Sequence, residues 1–333
     1  MADLQLPPPY LAAARDGRVA IFTDETGWHT RQLRQALARR GLEGRCVDLA
    51  DCRFDTTAAC GLVIPGFGKR VPRAAIVRGI AGGSLEQITK RLGILHALRE
   101  LGVPVYNDAR AIERSVDKAM TSFLLHRAGV PTPPAWALED AAQARRVLMR
   151  EGALGHGLVL KPVFGSQGKG LRRIGLTGEG IQPLPELAEV AGLVYLQRFV
   201  PQPESPSQPG FDWRVLVVGG RAIAAMRRVS RHWVRNVARG ARCQACDLAT
   251  EPAPLATLAE AAAAALGMDY AGVDLLPDAA TGGAQVIEVN GVAAWRGLQK
   301  VTGFDIAQAI VDDLLSRRLG LRVQPAVAQV CHF

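Results

Sequence analysis

Two segments near the end of the chain, residues 271–276 (AGVDLL) and 285–291 (QVIEVNG), have the composition of paired strands. Side chains alternate along a strand, so Glu288 and Asn290 share one face while Ile287 and Val289 pack on the other. Residues 277–283 read as the turn between them, and an antiparallel hairpin centred on Thr281 sets Asp274 opposite Glu288. Two carboxylates and an amide oxygen then converge. Such a group repels itself without a cation, and hard oxygen ligands are what Mg²⁺ takes alongside water and phosphate oxygens. On spacing alone, a solvated sheet face with three polar residues fits the same pattern.

A second cluster is Lys161 followed by Gly165-Ser166-Gln167-Gly168-Lys169-Gly170. Three glycines and a serine within six residues let the backbone take positive φ and turn N–H groups toward an anion, and Lys161 at a strand end adds a point charge. This reads as a flap over phosphates, although a glycine-rich hairpin has the same composition. It is not a Walker loop: Lys169 precedes Gly170, and the segment joins two strands. Lys118, after Asp117, supplies another cation. A third group, Asp212 and Arg214 on one strand face with Arg228 on the next strand and Arg235-Asn236 beyond, could line the same cavity and hold a phosphoryl or carboxylate oxygen pair.

Charge narrows the partners. The chain carries 40 Lys and Arg against 31 Asp and Glu, a formal +9, but 34 of the 40 are arginines scattered without a basic tail or a basic–aromatic repeat, which argues against nucleic acid. Lysines are scarce, and three of the six (Lys118, Lys161, Lys169) fall within 52 residues, pointing to anionic groups there. Six cysteines lack framework spacing, and the one CxxC, Cys243 and Cys246, has no second ligand pair for zinc. No apolar run nears bilayer length, and the start MADLQLPPPY lacks a basic, apolar leader pattern; a cytoplasmic protein without a membrane role is expected.

Strand and helix alternate over the first third: strands at 18–24, 61–65, 74–79 and 103–106, and helices at 28–40 and from Ser84 to 98, the second presenting Leu85, Ile88, Leu92, Leu95 and Leu98 on one face. A helix at 117–129 ends at Gly129, and residues 130–134 carry three prolines that forbid helix. Beyond come a helix (140–150), strands (157–162, 171–176, 194–200), a proline-rich loop (201–210), strands (213–218, 222–229) and an alanine-rich helix (255–266).

The order Asp117-Lys118, Lys161 to Gly170, Tyr195 to Val200, Asp212-Trp213-Arg214, Arg228, Asn236, Asp274 and Glu288-Val289-Asn290 resembles the ATP-grasp superfamily, in particular its RimK-type amino-acid ligases. The resemblance spans about residues 74–320 and implies an α/β and α+β architecture. Its parts are an N-terminal pre-ATP-grasp α/β domain (1–111), a small lid with the Gly-rich flap (112–200), a C-terminal antiparallel-sheet domain with the Mg²⁺ site (201–323) and a tail (324–333). It implies ATP and Mg²⁺ as cofactors, two ions with Mn²⁺ as a substitute. Lys118, Lys161, the 165–170 flap, Gln197, Arg198, Phe199, Val200, Asp212 and Asn236 would hold the nucleotide. Asp274, Glu288 and Asn290 would ligate metal, and Arg228, Arg214 and Lys161 would act in catalysis. Arg198 stands where RimK-type relatives carry an acidic hinge residue, and the 201–210 loop is longer.

The implied reaction phosphorylates a carboxylate and lets an amine attack the acyl phosphate. Val77-Arg78-Gly79-Ile80, residues 84–87 and residues 288–297 resemble the branch that adds L-glutamate to pterin- or furan-type C1-carrier coenzymes. The implied partners are therefore L-glutamate and a small-molecule carboxylate acceptor, with a homo-oligomer left open. Two other readings are glutamate addition to a protein or peptide C-terminus and a catalytically silent ATP-binding regulatory module.

Overall fold

Val19–Phe22 (β1) is four consecutive buried apolar residues, the signature of a strand covered on both faces. In the computed structural model, which describes residues 14–323 apart from 166–167, 179, 203–208, 252 and 280, β1 lies inside a parallel sheet. The chain divides into two units, which among the described residues are 14–110 with 305–323, and 111–304. The first contains α1 (Trp28–Arg39), β2 (Gly44–Val47), β3 (Arg53–Phe54), β4 (Leu62–Val63), β5 (Ala74–Val77), α2 (Leu85–Glu100) and β6 (Val105–Tyr106), with sheet order β2-β1-β5-β6.

Two details differ from the sequence reading. The segment 61–65 contributes β4 to an antiparallel pair with β3 outside the parallel sheet, and the sheet edge is β2. Leu85 is 78% exposed because it is the first residue after the Ser84 cap, while Ile94, Leu95 and Leu98 carry the buried face. The late helix Ile306–Asp313 also belongs to this unit: Arg40 donates to both Asp312 oxygens at 2.7 and 2.6 Å, and the Tyr106 hydroxyl donates to Asp313 at 2.6 Å.

The second unit holds α4 (Lys118–Arg127) after α3 (Ala109–Val116), then β7 (Ala135–Leu138), α5 (Ala141–Ala153), β8 (Gly157–Lys161), β9 (Arg172–Thr177), β10 (Gly180–Gln182) and β11 (Val194–Arg198). These strands form one antiparallel sheet, β10-β9-β8-β11-β7, with Leu158, Leu160, Ile174 and Leu196 packed against α5 residues Ala144 and Val147. A second antiparallel sheet, β14-β13-β12-β15-β16, comprises β12 (Phe211–Val218), β13 (Arg221–Val229), β14 (Arg242–Cys246), β15 (Tyr270–Pro277) and β16 (Ala284–Asn290), with α6 (Leu255–Leu266) between β14 and β15 in sequence. Alternation along β12 sends Trp213, Val215 and Val217 into the core under α6, leaving Asp212 and Arg214 for the opposite face. The alanines of α6 bury Ala259, Ala262 and Ala263 against that core. A short helix, α7 (Arg296–Gln299), follows β16.

The β15–β16 register pairs Asp274 with Glu288 and Gly272 with Asn290. A β-bulge intervenes toward the turn: Leu275 pairs with Val286, so Ile287 is the extra residue. Val286 and Val289 are both buried in the core, whereas Ile287, Glu288 and Asn290 border the cavity on the other side. Strict alternation put Ile287 beside Val289, and the bulge moves it to the polar face.

Candidate active site

One face of the sheet β14-β13-β12-β15-β16 and the inner strands β8 and β11 of the sheet β10-β9-β8-β11-β7 border a cavity of about 480 Å³. Asp117 caps α4 by accepting from Ala119 N at 2.8 Å and Met120 N at 3.0 Å, which fixes Lys118 as the first helical residue. Lys118 Nζ then reaches the Gly165 carbonyl at 2.9 Å and the Val163 carbonyl at 3.3 Å, tying the helix to the root of the flap. Lys161 ends β8 and donates to Gln197 Oε1 on β11. Burial pushes the Lys161 ammonium down to about 8, partly offset by Glu288 and Asp274, while Lys118 adds to the depression. Burial also lowers Lys118, against the pull of Glu288 and Asp117.

Gly168 and Gly170 have φ of +65° and +73°, and a Cβ on Gly168 would lie 2.6 Å from Val234 Cγ1. Arg239 donates to the Gly168 carbonyl at 3.0 Å, and Asn236, whose Oδ1 accepts from Arg239 N at 2.8 Å, lies beside the same glycine. The flap is therefore laid against the β13–β14 connection. Gly165, Gly168 and Lys169 border the cavity; Ser166 and Gln167 lie outside the described residues.

On the sheet face, four charges form a buried chain. Arg228 donates to both Asp212 oxygens at 2.6 and 2.8 Å and lies 3.1 Å from Asp274 Oδ2. Arg214 donates from Nε to Asp274 Oδ1 and from Nη2 to Oδ2, the second at 2.9 Å. Burial works against charge on Asp274, but the Arg214 and Arg228 guanidiniums outweigh it and hold the carboxyl below its usual range. Burial pushes Asp212 up despite Arg228. It opposes charge on Arg228 as well, yet Asp274 and Asp212 on either side raise its pKa. Taking these groups from water is costly, and the two-to-two pairing is what makes their burial tolerable.

The three expected metal ligands border one cavity but are not equivalent. Asn290 donates from Nδ2 to the Gly272 carbonyl at 3.1 Å, leaving Oδ1 for another partner. The Glu288 carboxylate has no hydrogen bond or ion pair within 4 Å among the described residues. Asp274 has both oxygens on guanidiniums. Glu288 and Asn290 thus fit a hard, oxygen-liganded cation directly, with Asp274 behind them.

Other expected residues divide similarly. Gln197, Phe199, Val200, Asp212 and Asn236 all border the cavity. Arg198 borders it too, but its guanidinium is held by Glu151 of α5 at 2.9 and 2.7 Å, so the side chain serves the first sheet. His232 folds back to accept from Val234 N at 3.0 Å, whereas its neighbour Trp233 faces the cavity. Sequence reasoning passed over Gln202 and the apolar liners Val159, Leu171, Met226 and Leu276. In the sequence their only signal is proximity to the charged motifs.

The RimK-like ATP-grasp domain family matches residues 115–314. A tetrahydromethanopterin:alpha-L-glutamate ligase of Methanosarcina acetivorans is 34% identical over 270 residues, covering 72% of this chain and 79% of that protein. A protein of the same name from Methanococcus maripaludis is 30% identical over 309 residues, covering 90% of this chain and 98% of its own length. In fold, the ATP-grasp ligase PsnB, solved with minimal precursor, Mg and ADP, aligns with a TM-score of 0.65 over 91% of this chain and 99% of PsnB at 22% identity. With the domain match spanning the cavity residues and relatives aligned along most of the chain, this protein belongs to the RimK-like ATP-grasp family of ligases.

Proposed function

We propose that this ligase adds L-glutamate, with ATP and Mg²⁺, to a carboxylated small-molecule coenzyme of the pterin or furan C1-carrier type. The observation that carries this reading is the cavity itself, where three lysines meet the free oxygens of Glu288 and Asn290. Lys118, Lys161 and Lys169 supply charge for the phosphates, and the 165–170 flap covers them. Glu288 and Asn290 would hold Mg²⁺ directly, with Asp274 joining them if a guanidinium gives way; the two ions proposed would supply charge neutralisation for the phosphates. Arg228 and Arg214, fixed by Asp212 and Asp274, would offer guanidinium N–H groups to the acceptor carboxylate and to the acyl phosphate made from it. No side chain becomes a covalent nucleophile: the glutamate amine attacks the acyl phosphate, and phosphate leaves. Residues 112–200 act as the lid, keeping water from that intermediate.

The test is phosphate release from ATP and Mg²⁺ with L-glutamate and a panel of pterin, furan and peptide acceptors, followed by product mass. A glutamyl increment on a pterin or furan acceptor supports the reading, and one on a peptide alone transfers it to protein modification. Glu288→Gln is expected to lower turnover by about 100-fold or more through loss of a metal ligand. If ATP binds, no acceptor turns over and Glu288→Gln changes nothing, the chain is a regulatory module.

A further inference from the structure

Strand parity assigns the two faces of β8 and β11. Leu158 and Leu160, with Val194 and Leu196, enter the core under α5, so the alternate residues Lys161, Tyr195 and Gln197 share the opposite face. Lys161 and Gln197 border the cavity there. Tyr195 is paired directly across from Lys161 in the β8–β11 register, is 2% exposed, and meets Ser122 Oγ of α4 with its hydroxyl at 2.7 Å. Ser122 lies one turn beyond Lys118 on the same face of that helix. Tyr195 is therefore beside one cavity lysine across the strands and one helical turn from another through Ser122.

The two lysines need such a tether. Beyond burial, Lys118 disfavours the Lys161 ammonium, and that repulsion works to separate α4 from the strand pair. A carboxylate bonded to either ammonium would hold them together but would cancel the charge that phosphate oxygens require. A hydroxyl pair restrains the backbones instead and leaves the charge of both ammoniums for an anion. Burial pushes the Tyr195 hydroxyl up to about 12, so it stays neutral over the range in which Lys161 titrates. We propose that Tyr195 is a positioning residue for nucleotide binding: bonded to Ser122, it fixes α4 against β11 and so sets the spacing of Lys118 and Lys161 for the phosphates. This rests on the ATP-dependent reading above and adds to it a residue that touches no substrate.

The test is calorimetry of ATP binding with Mg²⁺ to the wild type, Tyr195→Phe, Ser122→Ala and the double variant, and to Lys118→Met with and without Tyr195→Phe. Tyr195→Phe keeps the ring and removes only the hydroxyl. Each hydroxyl deletion is expected to weaken ATP by about three- to tenfold, the size of one lost hydrogen bond, and the double variant to be no weaker than the singles. In the Lys118→Met background, Tyr195→Phe should change affinity by less than about twofold, because the lysine it positions is gone. Unchanged ATP affinity in Tyr195→Phe overturns the proposal. So does a full-sized loss in the Lys118→Met background, which marks a general structural effect that does not pass through the lysine pair. If Tyr195→Phe does not fold, Ser122→Ala carries the same comparisons from the helix side. Each of these outcomes leaves the ligase reading intact, whereas failure of the wild type to bind ATP removes both.

Discussion

Lys161 occupies a position where its charge is hard to keep, and in the proposed phosphate-binding role this should make ATP affinity sensitive to pH. With its ammonium pushed down to about 8 by burial, part of the population is neutral in mildly alkaline solution. Phosphate favours the charged form, so binding raises the pKa and takes up a proton. ATP affinity should therefore be flat well below pH 8 and fall as pH rises through that value, approaching about tenfold per unit. Titration calorimetry in buffers of different ionisation enthalpy should register the proton uptake near pH 8. Lys161→Met should abolish the uptake as well as weaken binding, and an unchanged pH profile in that variant would assign the effect elsewhere. Residues whose placement follows from charge type and strand parity, such as Lys161, Glu288 and Asn290, could be brought to one cavity from the sequence. Gln202 could not, because its place on the cavity wall comes from the folded chain and not from any local pattern.

At the scale of elements, one ion pair ties α5 to the first antiparallel sheet of the second unit beside its apolar core. Glu151 on α5 is buried and bonded by Arg198 on β11 and by Arg150 beside it. Arg198→Ala leaves that carboxylate enclosed with only a half-exposed partner and is expected to cost about 2–4 kcal/mol in chemical denaturation. A companion Glu151→Gln change should recover part of this loss. The flap gives a different response: Gly168→Val meets both a left-handed backbone and Val234. It should raise the KM for ATP several-fold while leaving the melting temperature within a few degrees, because the loop lies on the surface. These pairings explain what the sequence hid. Arg198 borders the cavity, and its guanidinium also answers Glu151, a partner no sequence spacing points to. β7 lies just beyond three prolines and shows no clear alternation, and it forms because β11 offers an edge. The bulge at Ile287 is a register event between two strands and has no periodic trace in one of them.

For the whole molecule, the first unit is completed by residues from the far end of the chain. The helix Ile306–Asp313 contributes Asp312 and Asp313 to Arg40 and Tyr106, while Gln308 and Asp305 receive Arg39 at 2.7 Å each. Truncation after Phe304 should destabilise the N-terminal unit even though the second unit keeps its residues, lowering the melting temperature by about 5 °C or more and exposing the 14–110 region to protease. Identical melting of the truncated and full chains would show that this helix is dispensable. The alternation of the first third was legible as a parallel α/β layer because its strands are short unbroken apolar runs. The return of the late helix was not, since the partners of an amphipathic helix are chosen by tertiary packing.

The convergence of Lys118, Lys161 and Lys169 on one cavity has a use in chemical labelling. In a chain with only six lysines, an amine-selective acylating reagent finds half of its lysine targets at a single site, and Lys161 offers it a free base near neutral pH. Peptide mapping of the modified lysines, with and without bound nucleotide, thereby becomes a direct footprint of the cavity, against an internal reference provided by Lys69, Lys90 and Lys300 elsewhere in the same molecule.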